Sequence, residues 1–381
     1  MNVRVIALGV VTACAIALGS VVFAQNVPSQ FVVSGKAAEQ IQDFTTINLA
    51  TAERIAEACQ KLAAAQNVAI TMYVLDNDGN HVYMDRMDGQ GNIQILTAEM
   101  KARAALAERS SSKAVMNQVL KDPTNDLRYI QLGVFPNTGA LPVVVNKQMI
   151  GVIGIGGSAP RLPTWSDEIC GHKAMQEVLG AANVAPLVED LPRPQNAGGG
   201  PRFATATPPK TNVSNPEWVV GGRGAGNVFD GNQISLATAK RIARVCRDSA
   251  AAKGGSMSLY ILNNAGELVH MERMDGQVFR DIRTALLKAQ TSLKTRVPTS
   301  VYEAQGRNNP AGMPRNLMQY EYFTESGGLP IVVDGQMIGT IGVSGSTEDE
   351  ACAIEGLKAT FAEHVTLPVY PAATPAAGAA R

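Results

Sequence analysis

Aromatic residues make up only 5% of the 381 residues, histidine occurs four times, and the formal net charge is zero. That balance, 33 basic against 33 acidic side chains, excludes the broad cationic surface on which nucleic-acid binding depends. The scarcity of aromatics excludes a stacking platform for single strands. His81, His172, His270 and His364 show no metal-ligand spacing such as HExxH, so a structural zinc site is unsupported. No GxSxG elbow occurs either. Beyond residue 24, no apolar run reaches the ~18–20 residues that span a bilayer. What is left is a 45% hydrophobic chain long enough for two or three globular domains.

The first 24 residues read as a secretory signal. Arg4 precedes an apolar run from Val5 to Leu18, and Val22 and Ala24 supply small residues at −3 and −1 before a cut at Gln25. Cys14 suggests a lipoprotein site, but the apolar sequence that continues past it to Phe23 favours cleavage after Ala24 instead. The expected location is the periplasm or the exterior.

An internal repeat dominates the rest. Leu49–Gln90 aligns without gaps to Leu236–Gln277 at an offset of 187, with 22 of 42 positions identical. Leu141–Ser158 aligns to Leu329–Ser346 at an offset of 188, with 12 of 18 identical. Asp167-Glu168-Ile169-Cys170 answers Asp349-Glu350-Ala351-Cys352. Two long copies mean duplicated domains rather than a solenoid. The expected division is 45–181 and 232–368, a Gly/Pro-rich linker at 182–231, and a disordered tail at 369–381. Within the linker, Trp218-Val219-Val220 is apolar enough to pack on a domain.

Each copy carries the same element signals. Thr51 and Thr238 can cap a first helix whose inner side holds Ile55 and Cys59, or Ile242 and Cys246. A hairpin follows, turning at Asp76-Asn77-Asp78-Gly79 or Asn263-Asn264-Ala265-Gly266. A helix bearing Lys101 or Lys288, a second hairpin and a last helix with acidic first turn complete the copy. This order implies an α+β fold on an antiparallel sheet.

On the second hairpin strand, alternation puts His81, Tyr83, Asp85 and Met87 on one face, and Leu268, His270, Glu272 and Met274 on its counterpart. Tyr83 and His270 hold the same position, and both side chains are able to ligate haem iron. Arg86-Met87-Asp88-Gly89 recurs as Arg273-Met274-Asp275-Gly276, whose Arg fits a carboxylate, a haem propionate or a strand-ending ion pair. Lys101 and Lys288 are either pocket cations or solvated helix residues. The loops at Gly154–Ser158 and Gly342–Ser346 read as tight turns, since they lack the GxGxxG spacing.

Together these motifs resemble the GlcG/HbpS-like family of haem-binding and haem-degrading proteins. The resemblance rests on Asn77-Asp78-Gly79, Arg86-Met87-Asp88-Gly89, Lys101, Leu141-Pro142 and Asp167-Glu168. Copy two adds Gly327-Gly328-Leu329-Pro330 and Ser344-Gly345. It implies two tandem profilin-like domains, each a five-stranded antiparallel sheet packed with helices, and a tendency to form homo-oligomers. The implied ligand is a tetrapyrrole, haem first and a corrinoid second. His270 and Tyr83 then become the candidate iron ligands, and Arg86, Arg273, Lys101 and Lys288 the candidate pocket cations. The implied role is haem storage, scavenging or sensing after export. The alternatives are an enzyme degrading haem or acting on a small organic acid through Arg86 and Arg273, and an accessory to an exported oxidoreductase. In the implied sandwich the first and last helices lie side by side, which pairs Cys59 with Cys170 and Cys246 with Cys352.

Overall fold

A computed structural model describes residues 28–34, 45–157, 165–189, 210–227, 230–308 and 322–368. The signal segment, the tail and the middle of the expected linker lie outside these residues.

Copy one runs α1 (Leu49–Ala65), β1 (Thr71–Leu75), β2 (His81–Arg86), α2 (Asn92–Glu108), α3 (Ser112–Lys121), α4 (Asn125–Gln131), β3 (Ala140–Val145), β4 (Gln148–Gly156) and α5 (Asp167–Leu179). Copy two runs α6 (Leu236–Ala252), β5 (Ser258–Asn263), β6 (Leu268–Arg273), α7 (Phe279–Thr295), α8 (Thr299–Asn308), β7 (Gly328–Val333), β8 (Gln336–Ser344) and α9 (Asp349–Phe361). The caps of α1 and α6 are Asn48 and Ser235, three residues before the expected Thr51 and Thr238. Those threonines instead donate their backbone N–H groups to the cap side chains.

The strands form one antiparallel sheet in the order β3-β4-β1-β2-β6-β5-β8-β7. Among the described residues each copy therefore contributes four strands to the sheet, where five were expected. The fifth place is reduced to single bridges, Val32↔Ile47 and Val219↔Ile234, just ahead of α1 and α6. At the centre β2 pairs with β6, setting Tyr83 opposite Glu272, Met84 opposite Met271 and Asp85 opposite His270. Since Met271 is the repeat equivalent of Met84, an approximate two-fold axis passes between them.

Helices α1, α5, α6 and α9 cover one face of the sheet, over two apolar clusters that Met87 and Met274 both touch. Helices α2 and α7 cover the other face over a single cluster shared by the copies, with Tyr73, Met84, Tyr260 and Met271 in it. The two tandem copies thus share one continuous sheet and one apolar layer.

The ends of the expected linker are also built in. Lys113 Nζ donates to the Val188 carbonyl and Asn117 Nδ2 to the Glu189 carbonyl. Val213, Trp218 and Val219 join the core of copy two, as Phe31 and Val32 join that of copy one. Phe31-Val32-Val33 and Trp218-Val219-Val220 stand at the same offset of 187, so the repeat begins earlier than the sequence alignment placed it. Disulfides Cys59–Cys170 and Cys246–Cys352 join α1 to α5 and α6 to α9, as the resemblance implied.

Candidate functional site

The duplicated Arg-Met-Asp-Gly is a clamp between the copies. Arg86 Nη1 lies 2.7 Å from Glu267 Oε2, and Arg273 Nη1 lies 2.9 Å from Asp76 Oδ2, each reaching the hairpin turn of the other copy. Asp88 Oδ1 accepts the backbone N–H of Leu236 at 2.8 Å, and Asp275 Oδ1 that of Leu49 at 2.9 Å. Each aspartate therefore caps the first helix of the opposite copy, where the helix dipole favours a negative charge. Burial pushes both carboxyls up from their ordinary value. Gly89 and Gly276 turn the chain at φ 86° and 88°, which favours glycine. Both arginines are engaged in this way, and the organic-acid reading loses the residues it rested on.

Lys101 and Lys288 are neither pocket cations nor solvated. Both are buried, with Nζ 2.9 Å from Asp167 Oδ2 and from Asp349 Oδ2 respectively. Each also donates to a β4 or β8 carbonyl, Ile155 or Val343, tying the two helix layers together around the end of the sheet.

His81 leaves the face that alternation gave it. The β1–β2 register slips between Val74 and Leu75, so Val82 is an extra residue and His81 faces α2. There it meets Glu99 and the Tyr260 hydroxyl.

His270 and Tyr83, in contrast, come together across the axis, with ring centroids 5.5 Å apart. Both lie in the seam between α1 and α6 and are about 1% exposed or less. Asp85 is the hub: its Oδ1 lies 2.7 Å from His270 Nδ1, and its Oδ2 accepts the Tyr83 hydroxyl at 3.0 Å. Gln60 Nε2 also donates to Oδ2, and Lys240 Nζ lies 3.3 Å from it. Burial alone would lower the imidazole, but the Asp85 hydrogen bond and the nearby Glu272 carboxylate raise it to about 9. Burial opposes ionisation of Asp85, yet His270, Lys240 and Gln60 together hold it at about 2. Burial and then the Asp85 charge raise the Tyr83 hydroxyl well above its usual value, so it stays a phenol. Tyr83 thus positions Asp85.

The far side of the His270 ring is left with a demand. Nε2 stands 3.4 Å from Glu272 Oε2 without a hydrogen bond, and Glu272 Oε1 has no partner either. Buried polar atoms of this kind are rare and need an explanation.

Two bases close the seam from above. Lys240 pairs with Asp85 and with Glu57 at 3.2 Å, while Arg247 pairs with Glu272 at 3.1 Å and Glu53 at 3.2 Å. The sequence reading missed both. The signal was there in the repeat: Glu53, Glu57 and Gln60 of α1 align with Lys240, Arg244 and Arg247 of α6, a stripe of opposite charge at helical spacing. Among the described residues no group of three or more His, Cys, Asp or Glu is placed to hold a metal ion, and no helix is long and apolar enough to cross a membrane.

The model of the family described as "Haem degrading protein HbpS-like" matches residues 47–176 and 234–358. GlcG of Escherichia coli K12 is 31% identical over 111 residues, 29% of this chain and 81% of GlcG. An uncharacterized 15.0 kDa protein from the dhaT-dhaS intergenic region of Citrobacter freundii is 30% identical over 123 residues, 30% of this chain and 83% of that protein. Among solved structures, a double mutant of Streptomyces reticuli HbpS matches at 25% identity and TM-score 0.31, over 37% of this chain and 94% of its own. A PduOC:heme complex matches at 20% identity and TM-score 0.31, over 33% and 94%.

Proposed function

The chain belongs to the HbpS-like family, and from that premise we propose that it is an exported haem-binding protein acting in haem storage, scavenging or sensing. The observation that carries the reading is Nε2 of His270, which makes no hydrogen bond and faces only the Glu272 carboxylate at 3.4 Å. A histidine that binds iron offers one ring nitrogen while a carboxylate holds the other, which fixes the tautomer and the ring. Asp85 is that carboxylate, and Tyr83, Gln60 and Lys240 hold it in turn. The donor set therefore fits haem, with His270 as the protein ligand once iron replaces the Nε2 proton that the ring carries below about pH 9. A haem held there would supply a redox-active iron, with the His270 imidazole as the side chain that holds it. The chain's own part is to orient Nε2 and, through the Lys240 and Arg247 ion pairs, to keep water from the seam.

Export rests on the signal-like residues 1–24. Two disulfides in one chain are in keeping with an oxidising compartment. The test is a hemin titration of residues 25–381. A saturable Soret band is expected, shifted or abolished in His270→Ala, with far-UV circular dichroism confirming that the variant is folded. An identical Soret band in the folded variant removes His270 from the site, and no Soret shift in the parent chain sinks the reading.

A further inference from the structure

We propose that Lys240 and Arg247 receive carboxylate groups of the ligand, and that Glu53 and Glu57 stand in for those carboxylates while the seam is closed. This rests on the haem reading above and specifies what kind of tetrapyrrole the seam accepts. Each base makes a two-ended bridge. Its inner end meets a fully buried acid of the sheet, Asp85 or Glu272, and its outer end meets an acid of α1 at the rim.

The two ends differ in strength. Asp85 and Glu272 are about 1% and 2% exposed, so their charges need a permanent partner and fix each base in place. The side chain of Glu57 is half exposed and that of Glu53 is 19% exposed, so both outer pairs keep contact with water, where an ion pair contributes less and exchanges more readily, Glu57 first. Lys240 and Arg247 are themselves 16% and 19% exposed at the side chain, within reach of a molecule entering between α1 and α6. A ligand carboxylate replaces Glu53 or Glu57 without disturbing the inner bridge.

The arrangement is one-sided. The repeat equivalents of Lys240 and Arg247 are Glu53 and Gln60, so copy one offers no cation at these places. Arg86 and Arg273, the obvious carboxylate binders in the sequence, are spent on the clamp. The seam thus holds one imidazole and two bases with replaceable outer partners. Such a set suits a ligand carrying two carboxylate arms.

Hemin and hemin dimethyl ester, whose two carboxylates are masked, separate the carboxylates from the macrocycle. Each is titrated into the disulfide-intact chain and into Glu53→Gln/Glu57→Gln, with Soret absorbance as readout. Hemin is expected to bind the parent chain at least about tenfold tighter than the ester, as charge-assisted hydrogen bonds require. Neutralising the two rim acids is expected to tighten hemin roughly three- to tenfold and leave the ester unchanged. Both acids keep contact with solvent, and far-UV circular dichroism checks that the variant is folded. Equal affinity for hemin and ester, or no gain for hemin in the variant, overturns the carboxylate assignment and leaves haem binding standing. A parent chain that binds neither compound overturns both.

Discussion

Raising the pH through 9 is expected to take the proton from His270 and weaken the seam. The folded chain holds that proton at about 9 against an ordinary 6.5, so the contribution is complete below about pH 6.5 and is lost as the pH rises through 9. Roughly 2.5 units at 1.36 kcal/mol each amounts to ~3 kcal/mol, undiminished by solvent because the ring is 1% exposed. Asp85 acts at the other end of the scale. Held at about 2 against 3.8, it contributes fully above about pH 4 and loses its effect as the pH falls through 2. The two shifts describe one ion pair from its two ends and are not added. Lys240 and Gln60 also hold Asp85 down, and Glu272 also holds the His270 proton. Urea unfolding of the oxidised mature chain, run beside His270→Gln from pH 6 to 10, measures the effect. Lysines and tyrosines elsewhere titrate in both proteins and cancel in the difference. The stability gap between the two is expected to be largest at pH 6 and about 3 kcal/mol smaller at pH 10. A gap that stays constant across the range means that His270 is neutral in the folded protein, and the reasoning fails.

Three further outcomes follow from the architecture. Replacing Cys59 and Cys170 by Ser opens a crosslink spanning 111 residues and should cost about 4–5 kcal/mol in urea, while non-reducing peptide mapping should find no Cys59–Cys246 link. Asp88→Ala removes the acceptor of the Leu236 N–H across the seam and should cost about 1 kcal/mol, with Asp88→Asn restoring most of it because its amide oxygen accepts the same bond. A protease site placed between residues 190 and 209 and then cut should leave fragments that co-elute natively, since β2 and β6 share one sheet; two separate peaks would refute that.

The sequence made legible whatever depends on local pattern. Helix and hairpin order and the equivalence of Tyr83 with His270 follow from periodicity and repeat alignment, and the family resemblance implied the cysteine pairing. Contacts between the copies were not legible. Arg86 and Asp88 looked like ligand groups because nothing near them in sequence accounts for them; their partners, Glu267 and Leu236, lie 181 and 148 positions away. Lys101 looked solvated because a lysine on a helix usually is, and its buried partner Asp167 comes from another helix. His81 was misplaced for a local reason, since strict alternation fails at a bulge and a bulge leaves little mark in sequence.

The pattern of likeness and difference between the copies has a geometric explanation. Arg86 and Asp88 reach residues of the other copy, and Arg273 and Asp275 reach back. A reciprocal contact of this sort needs the same side chain twice, and the tetrapeptide is identical in both copies. Residues at the axis meet their own counterparts' neighbours, so one side is free to change when the other complements it. Tyr83 and His270 differ, as do Glu53 and Lys240, and Gln60 and Arg247. A copy one paired with itself would place Glu53 where Lys240 now neutralises Asp85. The buried Asp85 would then also lack His270, and an uncompensated buried carboxylate costs on the order of 3–5 kcal/mol. Copy one is therefore matched to copy two and not to itself. The asymmetry that secures the match also leaves a single imidazole at the centre of the sheet.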